Sequence, residues 1–174
     1  MMVSLKFDIE RTSHRPKLIS SRYPELVFLV DTGADTPVWC TGEGELLDIF
    51  PTARKMKYRF VLSGFGTGVE IADAYIVPNF YLSDGTEEIN YQNMLVAVTN
   101  RPTLNVDLIL PASLFHHMDL DIDRLSSVMY PTLKVKSINN IVPVFYKRKT
   151  LTEEQKSILE VTDDMIVTEI YAEE

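Results

Sequence analysis

The sequence predicts a mostly β protein with short helices. Three observations carry that reading. Val3, Leu5, Phe7 and Ile9 alternate with polar residues, the period of a half-buried strand. The runs at 26–30, 94–98 and 106–110, apolar except for Asp107, are short enough for buried strands. A glycine-rich stretch, Ser63-Gly64-Phe65-Gly66-Thr67-Gly68, separates an alternating segment from a second apolar series. That pattern is a β-hairpin with a turn at its tip.

Taken in order, residues 10–18 are charged, contain Pro16 and are expected to form a loop. Residues 26–30 form a wholly apolar strand that runs into Asp31. Pro37-Val38-Trp39 is short and extended, and residues 45–50 form one or two helical turns stopped by Pro51. Tyr58, Phe60 and Leu62 alternate with Lys57 and Arg59; Val69, Ile71, Ala74, Ile76 and Val77 make the return strand of the hairpin. Ser83-Asp84-Gly85 marks a turn. A short helix is expected over 111–118, with Pro111 at its first position and Leu114, Phe115 and Met118 on one face. Leu120 and Ile122 alternate with Asp119, Asp121 and Asp123 in a further strand. Residues 140–146 are β-like. Thr152 and Gln155 have capping-box spacing for a helix through Leu159, and 165–171 ends as a strand before an acidic tail. Residues 1–134 are expected to form the main domain, with 135–174 a C-terminal α/β extension packed on it.

A chain of 174 residues with 45% hydrophobic residues is long enough to bury one core. The formal charge of −8 argues against nucleic acid, whose affinity comes mainly from Lys and Arg on phosphates. Cys40 is the only cysteine, so no internal disulfide forms and a reducing compartment fits. Cys40 itself has the character of a small buried residue. The first ten residues carry charges where a signal peptide needs an apolar block, and no stretch has the length of a membrane span. A cytoplasmic location without membrane partners is the expectation.

The chemistry-bearing stretch is Val27-Phe28-Leu29-Val30-Asp31-Thr32-Gly33-Ala34-Asp35. A carboxylate placed directly after apolar strand residues needs partners to hold it. Thr32 offers a hydroxyl, and Gly33 lets backbone come close. This run resembles the Asp-Thr-Gly-Ala motif of retropepsins, the single-domain aspartic proteases. Two further features follow in the same order: the hairpin tip Gly64-Phe65-Gly66, similar to a flap, and Asp107-Leu108-Ile109-Leu110 leading into a short helix. The resemblance covers residues 3–134. It departs at Pro111, where the family usually has Gly.

The resemblance implies an acid-protease barrel with a flap hairpin and an aspartic endopeptidase active on peptides or proteins. Asp-Thr-Gly occurs once, so it implies a homodimer in which Asp31 of each copy is catalytic. Thr32 and Gly33 would support the site. Ala34, Asp35, Gly64, Phe65 and Gly66 would contact substrate. No cofactor or metal is implied. The alternative is a binding or scaffold module that keeps the fold without the activity.

Other signals are weaker. Gly64, Gly66 and Gly68 lack the spacing and following helix of a dinucleotide fingerprint. His116 and His117 precede Asp119, Asp121 and Asp123, but adjacent histidines on a helix project apart, and the aspartates read as a solvated strand face. No Gly-x-Ser-x-Gly accompanies His14, so serine hydrolase chemistry is not expected.

Overall fold

The computed structural model describes residues 2–9, 17–31, 33–34, 36–63, 69–100, 105–123, 132–147, 165–167 and 171–173. The chain is mostly β. Three of the strands make one small antiparallel sheet: β1 (Val3–Asp8), β9 (Met118–Asp123) and β10 (Thr132–Ser137), in the order β1-β10-β9. Among the described residues the large sheet has nine strands. It holds β2 (Lys17–Leu18), β3 (Phe28–Asp31), β4 (Val38–Trp39), β5 (Arg54–Ser63), β6 (Val69–Ser83), β7 (Glu88–Val98) and β8 (Leu108–Pro111), with β11 (Ile141–Pro143) and β13 (Met165–Val167). Its main path runs β13-β5-β6-β7-β4-β8-β3-β2, and β11 adds to β7. The strands β12 (Phe145–Lys147) and β14 (Tyr171–Glu173) pair with each other. The barrel implied by the resemblance is, among the described residues, a set of sheets with open strand orders.

Alternation decides β1: Val3, Leu5 and Phe7 are buried, while Ser4, Lys6 and Asp8 are exposed. Across β10 the same rule buries Leu133 and Val135. Lys134 and Lys136 stand opposite Asp121 and Asp119 of β9, so opposite charges oppose each other on the outer face. The boundary expected after residue 134 falls inside β10, whose pairing with β1 continues to Ser137. Residues 17–18, expected in a loop, form β2 because Lys17 and Leu18 pair with Leu29 and Phe28.

The hairpin is longer than its apolar pattern suggests. β6 runs past Val77 through Pro78, and β7 begins well before Met94. The β6–β7 ladder skips the Pro78–Asn93 position, since proline has no N–H to donate and Asn93 is left-handed at φ 57°. The expected early helix is α1 (Glu43–Ile49), which follows Gly42 at φ 91°. No helix of the described residues is long and apolar enough to cross a membrane.

Two apolar clusters flank the central strands. The larger contains Phe28, Val30, Trp39, Leu108 and Leu110; the smaller contains Leu29, Val38, Cys40 and Ile109. Rings of Tyr23, Phe28, Phe50 and Phe80 meet in the larger cluster at centroid distances of 5.1 to 6.2 Å. Buried surface on this scale drives the fold, at about 25 cal/mol per Å² of apolar area.

The β6–β7 turn also guards an open edge. Glu87 Oε2 accepts from Ser4 N at 2.9 Å and Asp84 Oδ2 from Lys6 N at 3.0 Å, so acidic side chains occupy backbone donors of β1. Asp84 Oδ1 further accepts from Thr86 N and Glu87 N at 2.8 and 2.9 Å. Gly85 supplies the left-handed residue of the turn at φ 93°. Burial pushes the Asp84 carboxyl upward, but the backbone donors of Glu87, Thr86 and Lys6 outweigh it and hold the group below the usual carboxylate range. A depressed folded pKa contributes stability that is full above about pH 4 and drains away as pH falls through the lowered value. Asp84→Ala is expected to cost about 1–2 kcal/mol at neutral pH. It should also flatten the acid limb of a melting-temperature profile measured between neutral pH and strong acid.

Candidate active site

Asp31 is the last residue of β3 and is half-buried. The three residues before it are buried, and they alternate between the two apolar clusters: Phe28 and Val30 face the larger, Leu29 the smaller. A strand buried on both faces must be apolar throughout, which explains the run that precedes the carboxylate. The chain then turns. Ala34 N donates to Asp31 O at 3.0 Å, and Gly33 N donates to Asp31 Oδ1 at 3.0 Å. The turn therefore holds the carboxylate through a backbone donor, in the manner of an Asx turn. A Cβ added at Gly33 would stand 3.3 Å from Asp31 Oδ1, tighter than an ordinary contact.

β8 lies parallel to β3, with Phe28, Leu29, Val30 and Asp31 in register with Leu108, Ile109, Leu110 and Pro111. The Asp-Leu-Ile-Leu stretch is thus the direct neighbour of the Asp31 strand. β4 closes β8 from the other side, Val38 against Ile109 and Trp39 against Leu108. Pro111, buried and extended at φ −81° and ψ 169°, ends β8 opposite Asp31. It does not begin a helix over 111–118 as expected. Its ψ belongs to a strand, and only Ala112–Phe115 form a 3-10 turn, after which Met118 opens β9. Leu114 and Phe115 are buried as the apolar pattern required, and Met118 is half-buried. Tyr91 O–H donates to Leu114 O at 2.7 Å and pins this turn to β7. Tyr91 is fully enclosed, and burial raises its pKa, so the hydroxyl stays a donor.

Of the residues singled out from sequence, Asp31 and Gly33 come together in one turn with Ala34. The half-buried Ala34 side chain packs against the smaller apolar cluster. Thr32, Asp35, Gly64, Phe65 and Gly66 lie outside the described residues, as does the helix expected over 152–159. The stem of the hairpin, β5 with β6, is continuous from Arg59–Asp73 to Ser63–Val69.

Sequence reasoning missed the role of Asp107. Its Oδ2 accepts from Val27 N at 2.7 Å, its N–H donates to Val27 O at 2.9 Å, and its carbonyl accepts from Cys40 N at 2.8 Å. One residue thus ties the starts of β3 and β8 to the end of β4. A carboxylate directly before a buried apolar run was the available signal, and it is the same signal that marks Asp31 at the other end.

No protein-family model and no curated protein sequence matches this chain. Among solved structures it is similar to a retropepsin-like aspartic protease from Rickettsia conorii, at a TM-score of 0.48 and 12% identity, over 78% of this chain and 92% of that one. At that level the likeness carries no residue's role across.

Asp107→Ala is expected to destabilise the fold by about 1–3 kcal/mol, because Val27 N loses a charged acceptor in a part-buried position. Asp107→Asn keeps an oxygen acceptor there and should lose less than half as much. Urea-unfolding midpoints of the two variants would separate these outcomes.

Proposed function

We propose that the protein is an aspartic endopeptidase that works as a homodimer through two Asp31 carboxylates. The observation that carries the reading is the held carboxylate: Asp31 ends a strand buried on both faces, and Gly33 N–H donates to its Oδ1. That is a way to keep one acid group fixed at the end of a rigid element, which catalytic precision requires. A single Asp-Thr-Gly per chain means that the second acid comes from a second copy.

The chemistry follows from two like charges held close. They cannot both ionise, so the pair retains one proton. The ionised member removes a proton from water, and the water oxygen bonds to the scissile carbonyl carbon. The protonated member donates to the carbonyl oxygen. The tetrahedral intermediate, a gem-diol, then breaks its C–N bond: the protonated member gives its proton to the leaving nitrogen while the ionised member takes one from a diol hydroxyl, which forms the carboxyl product and leaves the pair with one shared proton. Thr32 in this reading braces the two turns across the twofold axis, and Gly33 delivers its N–H. Ala34, Asp35 and the hairpin tip Gly64-Phe65-Gly66 hold the peptide backbone. Hairpin closure excludes water.

Asp31→Asn is expected to abolish cleavage of a denatured protein substrate while the melting temperature and the sedimentation of the dimer stay near wild type. Turnover that survives this substitution rejects the mechanism. Gly33→Ala, which crowds the same oxygen, should lower kcat by up to about a hundredfold. A statine-type transition-state analogue should raise the melting temperature of the wild type and not of Asp31→Asn. A protein that stays monomeric at high concentration and ignores the analogue would instead be a binding module on this scaffold.

A further inference from the structure

Among the described residues β13 has one neighbour in the large sheet. It ends the strand order, and its three residues pair in parallel with β5: Met165 with Arg59, Ile166 with Phe60 and Val167 with Val61. Parallel pairing is the less stable kind per residue, and three residues are the short end of strand length. The seat beneath β13 is firmer. β5 runs for ten residues and pairs with β6 at both ends, Arg54 with Ile76 and Ser63 with Val69. Phe60 is fully buried in the smaller apolar cluster, against which Ala34 of the Asp31 turn packs. Val61 is buried although it belongs to neither cluster.

Charge gives the seat a preference. In a chain of net charge −8, Arg54, Lys55, Lys57 and Arg59 are exposed along β5. Asp73 of β6 faces two of them: its Oδ2 lies 3.4 Å from Lys55 Nζ, and Arg59 is its cross-strand partner. The stretch leading into the seat is therefore cationic. In sequence, Asp163 and Asp164 come directly before the apolar triplet Met165-Ile166-Val167. A parallel strand runs in the same direction as β5, so acids ahead of the triplet suit the cations ahead of the seat.

We propose that the outer edge of β5 at residues 59–61 is a docking seat for an extended segment of acidic-then-apolar sequence, and that this chain's own C-terminal segment is its replaceable occupant. Main-chain hydrogen bonds supply the hold and side chains the selection, as in strand addition generally. Departure of the segment opens the β5 edge and leaves the hairpin stem with β6 alone beside it. The inference does not depend on the reading of Asp31.

The test is hydrogen exchange of the full chain, read at residues 59–61 and, as an internal reference, at 94–98 of β7. Ile166→Pro combined with Val167→Pro removes the donor that β13 offers β5, since one of two successive strand amides faces the neighbour. Exchange at 59–61 should rise roughly tenfold or more in this variant and stay unchanged at 94–98. A synthetic peptide of residues 162–169 should restore the protection when added to the variant. It should bind the wild type at least roughly tenfold more weakly, because the seat is already filled. The peptide carrying Asp163→Lys and Asp164→Lys should bind the variant roughly tenfold or more weakly than the unaltered peptide, whose own binding should fall with added salt. Exchange at 59–61 that does not change, or that rises together with exchange at 94–98, overturns the proposal. So does a peptide that fails to protect the variant or that binds equally well with the two lysines.

Discussion

The constraint on which the candidate site depends is the burial of β3 on both faces. Phe28 and Val30 belong to one apolar cluster and Leu29 to the other, so the strand has no solvent side on which to slide or tilt. Side chains alternate with a period of two, and a one-residue slip would send every one of them into the wrong cluster. The parallel register with β8 is locked by the same rule, since Leu108 and Leu110 share the larger cluster and Ile109 the smaller. Asp31 inherits this rigidity. It stands where the apolar run stops, so packing sets its backbone position before the turn holds its carboxylate.

Polar anchors act at both ends of that strand. Asp107 takes both backbone groups of Val27 at the start, and Gly33 N–H takes the Asp31 carboxylate at the finish. Each is a carboxylate held by backbone donors next to a hydrophobic element. The chemical arrangement is shared while the consequences differ. At Asp107 the carboxylate is spent on joining strands. At Asp31 the turn leaves it half-buried at a strand end.

The outer parts of the molecule follow weaker rules. The small sheet relies on alternation and on Asp119 and Asp121 facing Lys136 and Lys134. Its β1 edge is blunted by Asp84 and Glu87 from a turn of the large sheet, which links the two sheets through hydrogen bonds as well as packing. The C-terminal strand β13 adds in parallel to β5, the outer strand of the hairpin stem. This C-terminal strand therefore pairs with the stem of the hairpin.

Sequence alone determined the strands with strong periodicity, the apolar run into Asp31, the hairpin at the glycine-rich stretch and the order of the three motifs. Those features are local: a period of two or a turn residue is written in a few adjacent positions. Tertiary structure decided the rest, because long-range pairing leaves no local mark. Nothing near Lys17 announces that it pairs with Leu29, and nothing near Pro78 or Asn93 says that their strands continue through them. The bracing role of Asp107 likewise depends on backbone placed by distant residues. Pro111 illustrates the difference well. Its preference for a helix start is a local tendency, and the parallel partner that β3 requires in the core overrode it.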